Sequence, residues 1–231
     1  MDLDSWTAEP DLSTPAGVAL NKLVGHLPTS GQFRITLFGS APIQILVDPS
    51  LLSSDVDMFS DFEGLAEFVG AAGMHQDQSD FYIQVCSELN FRTSPRWRSR
   101  VQSVEIRNCT VELPHPIDIL IAKLNRLEEK DLEAFRVVLR KTGHPTEEEM
   151  IRELQLAVDL FRPDFDEENG HDMLGNCRRL WPEIFGREID PRQEIIVPAL
   201  KLRREGYGEP ARDYKQELRD GLAEYGGSKG R

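Results

Sequence analysis

The chain has 231 residues, of which 39% are hydrophobic and 29% charged, with a net charge of −13. A chain of this length buries roughly 70% of its unfolded surface, so its core needs no staple. The acidic balance argues against a broad nucleic-acid-binding surface, though not against a local basic patch.

In chain order, the acidic N-terminus MDLDSWTAEPDL lacks the basic-then-apolar order of a signal peptide. Residues 14–27, TPAGVALNKLVGHL, read as an amphipathic helix with Thr14 as cap and Pro15 in its first turn. FRITLF (33–38) alternates as a strand. Pro42, Pro49 and several serines make 39–54 a loop with helical fragments. DVDMF (55–59) is a short strand, and 62–73 a helix closed by Gly73. Residues 80–91, DFYIQVCSELNF, carry the strongest strand signal, rich in aromatic and β-branched types.

A basic segment follows, then VQSVEIRN and CTVELPHP as two strands with Asn108 near a turn. The remainder reads as helices over 116–128, 131–142, 146–161 and 173–181, with His144-Pro145 separating the second from the third. Residues 201–222 read as an exposed helix or hinge, and the terminal GGSKGR as a frayed tail. Strands thus cluster before about residue 115 and helices after it. The expectation is an α+β fold, with a mixed-sheet domain over 1–115 and a mostly helical domain over 116–231.

Three widely spaced cysteines and the absence of a CxxC or Cys/His cluster point to reduced, buried thiols and a cytoplasmic protein. No 18-residue apolar run is present, so no membrane partner is expected. The five histidines lack ligand spacing and read as structural or surface residues.

The chemistry concentrates in two blocks. In the first, ITLFGSAPIQILVDPSLLSSDVDMF, a strand runs into Gly39-Ser40, and after a 14-residue gap (41–54) Asp55 and Asp57 follow. Residues two apart in a strand point to one face, so the two carboxylates stand side by side and repel unless a cation sits between them. Mg²⁺ prefers such oxygens and shares itself with substrate phosphates. Gly39 allows close backbone approach, and Ser40 offers a hydroxyl and an N–H where phosphate can rest. Taken alone, Asp55-Val56-Asp57 reads as a solvated strand end.

The second block, PIDILIAKLNRLEEKDLEAFRVVL (116–139), holds Lys123 on an apolar helix and Lys130-Asp131-Leu132 opening the next. Together the two blocks resemble the nucleotidyltransferase superfamily, in particular the abortive-infection (AbiE-type) toxin nucleotidyltransferases and related families of unassigned function. The resemblance covers roughly residues 30–140.

It implies a nucleotidyltransferase-like fold and a Mg²⁺-dependent (or Mn²⁺-dependent) transfer of a nucleoside monophosphate from an NTP. The acceptor would be tRNA, other RNA or a protein, and the protein would be a toxin–antitoxin component with a cognate antitoxin. The alternative is an inactive binding module of the same fold, serving as antitoxin or nucleotide sensor. The implied catalytic residues are Asp55, Asp57, Lys123 and Asp131. Gly39, Ser40 and Lys123 would hold the nucleotide, and Asp131 would orient Lys123 or activate the acceptor hydroxyl.

Many members of the superfamily use a third metal carboxylate. Glu105, Glu112 and Asp118 are the candidates, with the strand residues ahead of Asp118 and Glu105 taken with Asp55 and Asp57 as the metal set. Arg92, Arg96, Arg98, Arg100 and Arg107, interleaved with Phe91 and Trp97, reverse the chain's charge locally. They would contact phosphates by pairing and stacking, or else pair with the protein's own carboxylates.

Overall fold

The computed structural model describes residues 3–51, 53–162 and 171–206. Helix α1 (Pro15–Val24) starts where expected, with Thr14 accepting a hydrogen bond from the Gly17 N–H and Pro15 in the first turn. Strand β1 (Phe33–Phe38) runs into the short, wholly buried helix α2 (Ala41–Leu46). The buried Gln44 ties α2 to its neighbours, accepting from the Ala16 N–H at 2.8 Å and donating to the Leu51 carbonyl at 2.7 Å. Strand β2 (Asp55–Ser60) and helix α3 (Leu65–Ala71) follow.

Strand β3 (Tyr82–Val85) is much shorter than its sequence signal. It lies at the edge of the sheet and pairs with β2 alone, and after it Ser87 caps a single 3₁₀ turn, Glu88–Asn90. Strands β4 (Gln102–Ile106) and β5 (Cys109–Leu113) form a hairpin whose turn holds Arg107 at φ 57°. The five strands make one mixed sheet in the order β3-β2-β1-β5-β4. β1 is antiparallel to β2 and parallel to β5, and β2 is parallel to β3.

Among the described residues, five α-helices follow: α4 (Pro116–Leu124), α5 (Glu129–Thr142), α6 (Glu147–Leu156), α7 (Met173–Phe185) and α8 (Val197–Gly206), with a 3₁₀ turn at Val158–Phe161 and a π-helical turn at Arg192–Ile196 leading into α8. Two caps match their residue types. Thr146 and Glu149 form a capping box on α6, and Gly143 closes α5 at φ 72°. Of the expected helix at 201–222, residues 201–206 close α8; the rest, with the terminal tail, lies outside the described residues. The architecture is mixed α and β, with a five-stranded mixed sheet and flanking helices.

Alternation along the strands gives the sheet two unlike faces. Ile35, Leu37, Val56, Met58, Ile83 and Val111 pack with α1 and α3 in one apolar cluster. The opposite face presents Thr36, Phe38, Asp55, Asp57 and Glu112, and is apolar only where Phe38 and Phe59 meet Phe91, Trp97 and the later helices. That second cluster runs without a break from β1 and β2 into α4, α5, α6 and α7. Residue 115, the expected domain boundary, is therefore spanned by one core. His115 itself caps α4, its Nδ1 accepting from the Ile117 N–H at 3.1 Å.

Candidate active site

Gly39 and Asp57 meet where β1 ends. The register places Phe38 opposite Asp57, so the next residue turns directly over the carboxylate. Gly39 has φ 65°, and a Cβ built on it would lie 2.2 Å from Asp57 Oδ2. Only glycine satisfies both the left-handed backbone and the contact. Ser40 follows as the first half-turn of α2, and its side chain makes no capping hydrogen bond to that helix. Asp55 stands two residues along β2 on the same face, with its Oδ1 accepting from Ser53 Oγ at 2.9 Å.

The electrostatics of the pair are strained. Burial is the largest influence on Asp57, whose immediate neighbours on its face are the aromatic side chains of Phe38 and Phe59. Burial and the adjacent Asp55 push the Asp57 carboxyl up to about 6, against the pull of Lys123, Arg126 and Lys130. Cys86, half-buried on β3's exit, is pushed up to about 11 by burial and by the same two aspartates, so it stays a neutral thiol. Neither Asp55 nor Asp57 forms an ion pair with a described residue.

Lys123 reaches this cluster from the last turn of α4. Its Nζ lies 2.7 Å from Asp131 Oδ1, and the Asp131 side chain is 1% exposed. Asp131 Oδ2 accepts from the Glu128 N–H at 2.9 Å, which completes a capping box on α5. With one oxygen on the lysine and the other on the helix start, both Asp131 oxygens are engaged within the protein. The corner between α4 and α5 also carries Arg126 and Lys130, which hold Glu128 at 3.0 and 3.1 Å. The sequence pointed to neither as a site residue, although both flank the Lys123–Asp131 block.

Among the described residues, the structure brings none of the candidate third carboxylates to the pair. Glu105 is exposed on β4, and its Oε1 accepts from Thr110 Oγ1 at 2.7 Å. It is three strands and four register positions from Asp57, roughly 20 Å by ordinary strand spacings. Glu112 is nearer but engaged, accepting from Thr36 Oγ1 at 2.7 Å with Arg34 Nε at 3.5 Å. Asp118 is fully buried beneath Arg100, which reaches it through Nε at 3.1 Å and Nη2 at 2.7 Å. Among the described residues, no group of three or more His, Cys, Asp or Glu side chains is placed to hold a metal. Two adjacent, mutually repelling carboxylates with no ion-pair partner among the described residues would suit one hard divalent ion that completes its shell with water and phosphate oxygens. They do not build a closed cage.

The basic segment resolves largely into architecture. Arg100 bridges Asp118 and Glu153, whose Oε2 lies 3.0 Å from Arg100 Nη1 and also accepts from Ser94 Oγ at 3.0 Å. Arg96 reaches the same glutamate at 3.4 Å. Arg98 lies over the Trp97 ring and pairs with Glu88. A separate pocket of about 360 Å³, lined by Trp6, Leu46, Gln102, Ser103 and His115 among others, contains none of the aspartates of the pair.

No protein-family model, curated protein or solved structure matches this chain. Among the described residues, no helix is long and apolar enough to cross a membrane.

Proposed function

We propose that the chain is a Mg²⁺-dependent nucleotidyltransferase that moves a nucleoside monophosphate from an NTP to an RNA or protein acceptor. The observation that carries this is the packing of the Gly39 backbone against the Asp57 carboxylate, with Lys123 on its Asp131 anchor at the same place. A glycine-serine turn, an acid pair without an ion-pair partner among the described residues and an oriented cation are parts that phosphoryl chemistry uses, since that chemistry is mostly positioning and charge stabilisation. A nucleotidyltransferase-like core is supported by the mixed sheet, which sets the turn and the acid pair on neighbouring strands.

In this scheme Asp55 and Asp57 hold the divalent ion, which when bound offsets charge on the triphosphate and on the leaving pyrophosphate. The Gly39-Ser40 turn receives the terminal phosphates. Lys123, flanked by Arg126 and Lys130, neutralises them. A role as a toxin with a cognate antitoxin fits the same site and would set the acceptor.

An inactive nucleotide-binding module is the second reading. Carboxylates already neutralised by arginines would favour it, and Asp55 and Asp57 have no such partners among the described residues. The test is transfer of label from each of four α-labelled NTPs with Mg²⁺, with and without bulk tRNA. Asp55→Ala or Asp57→Ala is expected to lower transfer at least about 10³-fold while the melting profile stays cooperative. Label transfer that persists in both variants would sink the proposal, and NTP binding with no turnover in the wild type would favour the inactive module.

A further inference from the structure

Helix α7 touches the site from a region of the sequence that carries no recognisable motif. The α4–α5 corner is an awkward piece of chain. Leu127, 1% exposed, has φ 43°, a left-handed conformation that an L-residue without a short polar side chain rarely adopts. Such a residue persists only where its surroundings over-determine it.

Here the surroundings are two side chains one turn apart on α7. Asn176, buried, donates from Nδ2 to the carbonyls of Leu124 at 3.0 Å and Asn125 at 3.1 Å. These belong to the last carbonyls of α4, which lack intrahelical partners. Arg179 donates from Nη2 to the carbonyl of Leu127 itself, at 2.6 Å. The three cations that pull on Asp57 lie at this corner: Lys123 just before it, Arg126 within it and Lys130 just after it.

We propose that Asn176 and Arg179 are positioning residues of the active site, holding residues 124–128 so that Lys123, Arg126 and Lys130 stand over the triphosphate beside Asp55 and Asp57. This rests on the nucleotidyltransferase reading and adds α7 to it. Neither residue touches the reacting atoms; both act through the backbone that carries the cations. The geometry favours Arg179 for a test, because its head is reachable from solvent while Asn176 serves two buried carbonyls whose loss endangers the fold.

The test combines hydrogen exchange with calorimetric titration of Mg²⁺ and each of the four NTPs. Arg179→Ala is expected to fold, to exchange the amides of 123–131 at least tenfold faster with β1 and β2 unchanged, and to bind the accepted NTP about tenfold more weakly. In turnover the KM for that NTP should rise more than kcat falls, and Arg179→Lys should recover most of the affinity. A folded Arg179→Ala that binds and exchanges like the wild type overturns this inference alone. A wild-type protein that binds no NTP overturns the nucleotidyltransferase reading and this inference with it.

Discussion

Two clusters of charge in this chain use the same residue types to opposite ends. Around Arg100, Asp118, Glu153 and the head of Arg100 are sealed between the β3–β4 connection, α4 and α6, with the half-exposed Arg96 at the rim. Each charge there meets an opposite charge or a hydroxyl. Around Asp57, two carboxylates stand together on the open face of a sheet, half-buried, and the nearest lysine is already tied to Asp131. The first cluster pairs its carboxylates with arginines inside the protein, although burial still pushes the Asp118 carboxyl up to about 6, and it joins the sheet to the helices. The second has no ion-pair partner among the described residues and feels Lys123, Arg126 and Lys130 only through the field. Ion pairing therefore distinguishes the two clusters more sharply than residue type does.

That contrast can be broken at either cluster. The largest stability effect is expected at the sealed one. Arg100→Ala strands two buried carboxylates and should cost about 3–5 kcal/mol in denaturant unfolding. A loss below about 1 kcal/mol would mean that water reaches Asp118 and Glu153, and the contrast would collapse. The open cluster should respond with the opposite sign. The folded Asp57 carboxyl, at about 6, lies above its unfolded value of 3.8. Its contribution to stability is therefore present below pH 4 and is lost as pH rises through 6. Asp57→Asn removes that loss. Without divalent ions it should stabilise the protein by about 1–3 kcal/mol at pH 8 and by almost nothing at pH 4, measured by urea unfolding at both pH values. Destabilisation at pH 8 would show that Asp57 is satisfied within the protein and is not a site held at a cost to folding.

The local parts of this picture were legible in the sequence. Thr14 and Pro15 announced α1, the strand patterns announced β1 and β2, and the Gly39-Ser40 turn and the Asp55–Asp57 pair were read as one group that the structure brings together. The Lys123–Asp131 pairing was legible as well, since eight residues and one helix start connect them. What depends on register was not. Glu105 read as a third carboxylate, but the β4–β5 hairpin sets it opposite Thr110, at the far side of the sheet. The partners of Arg100 lie 18 residues away on α4 and further still on α6, so a structural arginine looked like a ligand-binding one. β3 shows the same limit from the other side. Its aromatic and β-branched run promised a long strand, and an edge position with one neighbour left it four residues. Nothing local could reveal that α7 reaches back to the α4–α5 corner.

The central claim is that the Gly39-Ser40 turn and the Asp55–Asp57 pair form one site for a divalent ion and a triphosphate. Calorimetric titration of each NTP into the protein with Mg²⁺ and then with EDTA tests it most directly. The expected result is binding of at least one NTP that requires Mg²⁺, is lost in Asp55→Asn/Asp57→Asn, and is unchanged in Glu105→Gln. Binding that ignores Mg²⁺, or that survives in the double variant, would contradict it, as would a wild-type protein that takes up no nucleotide.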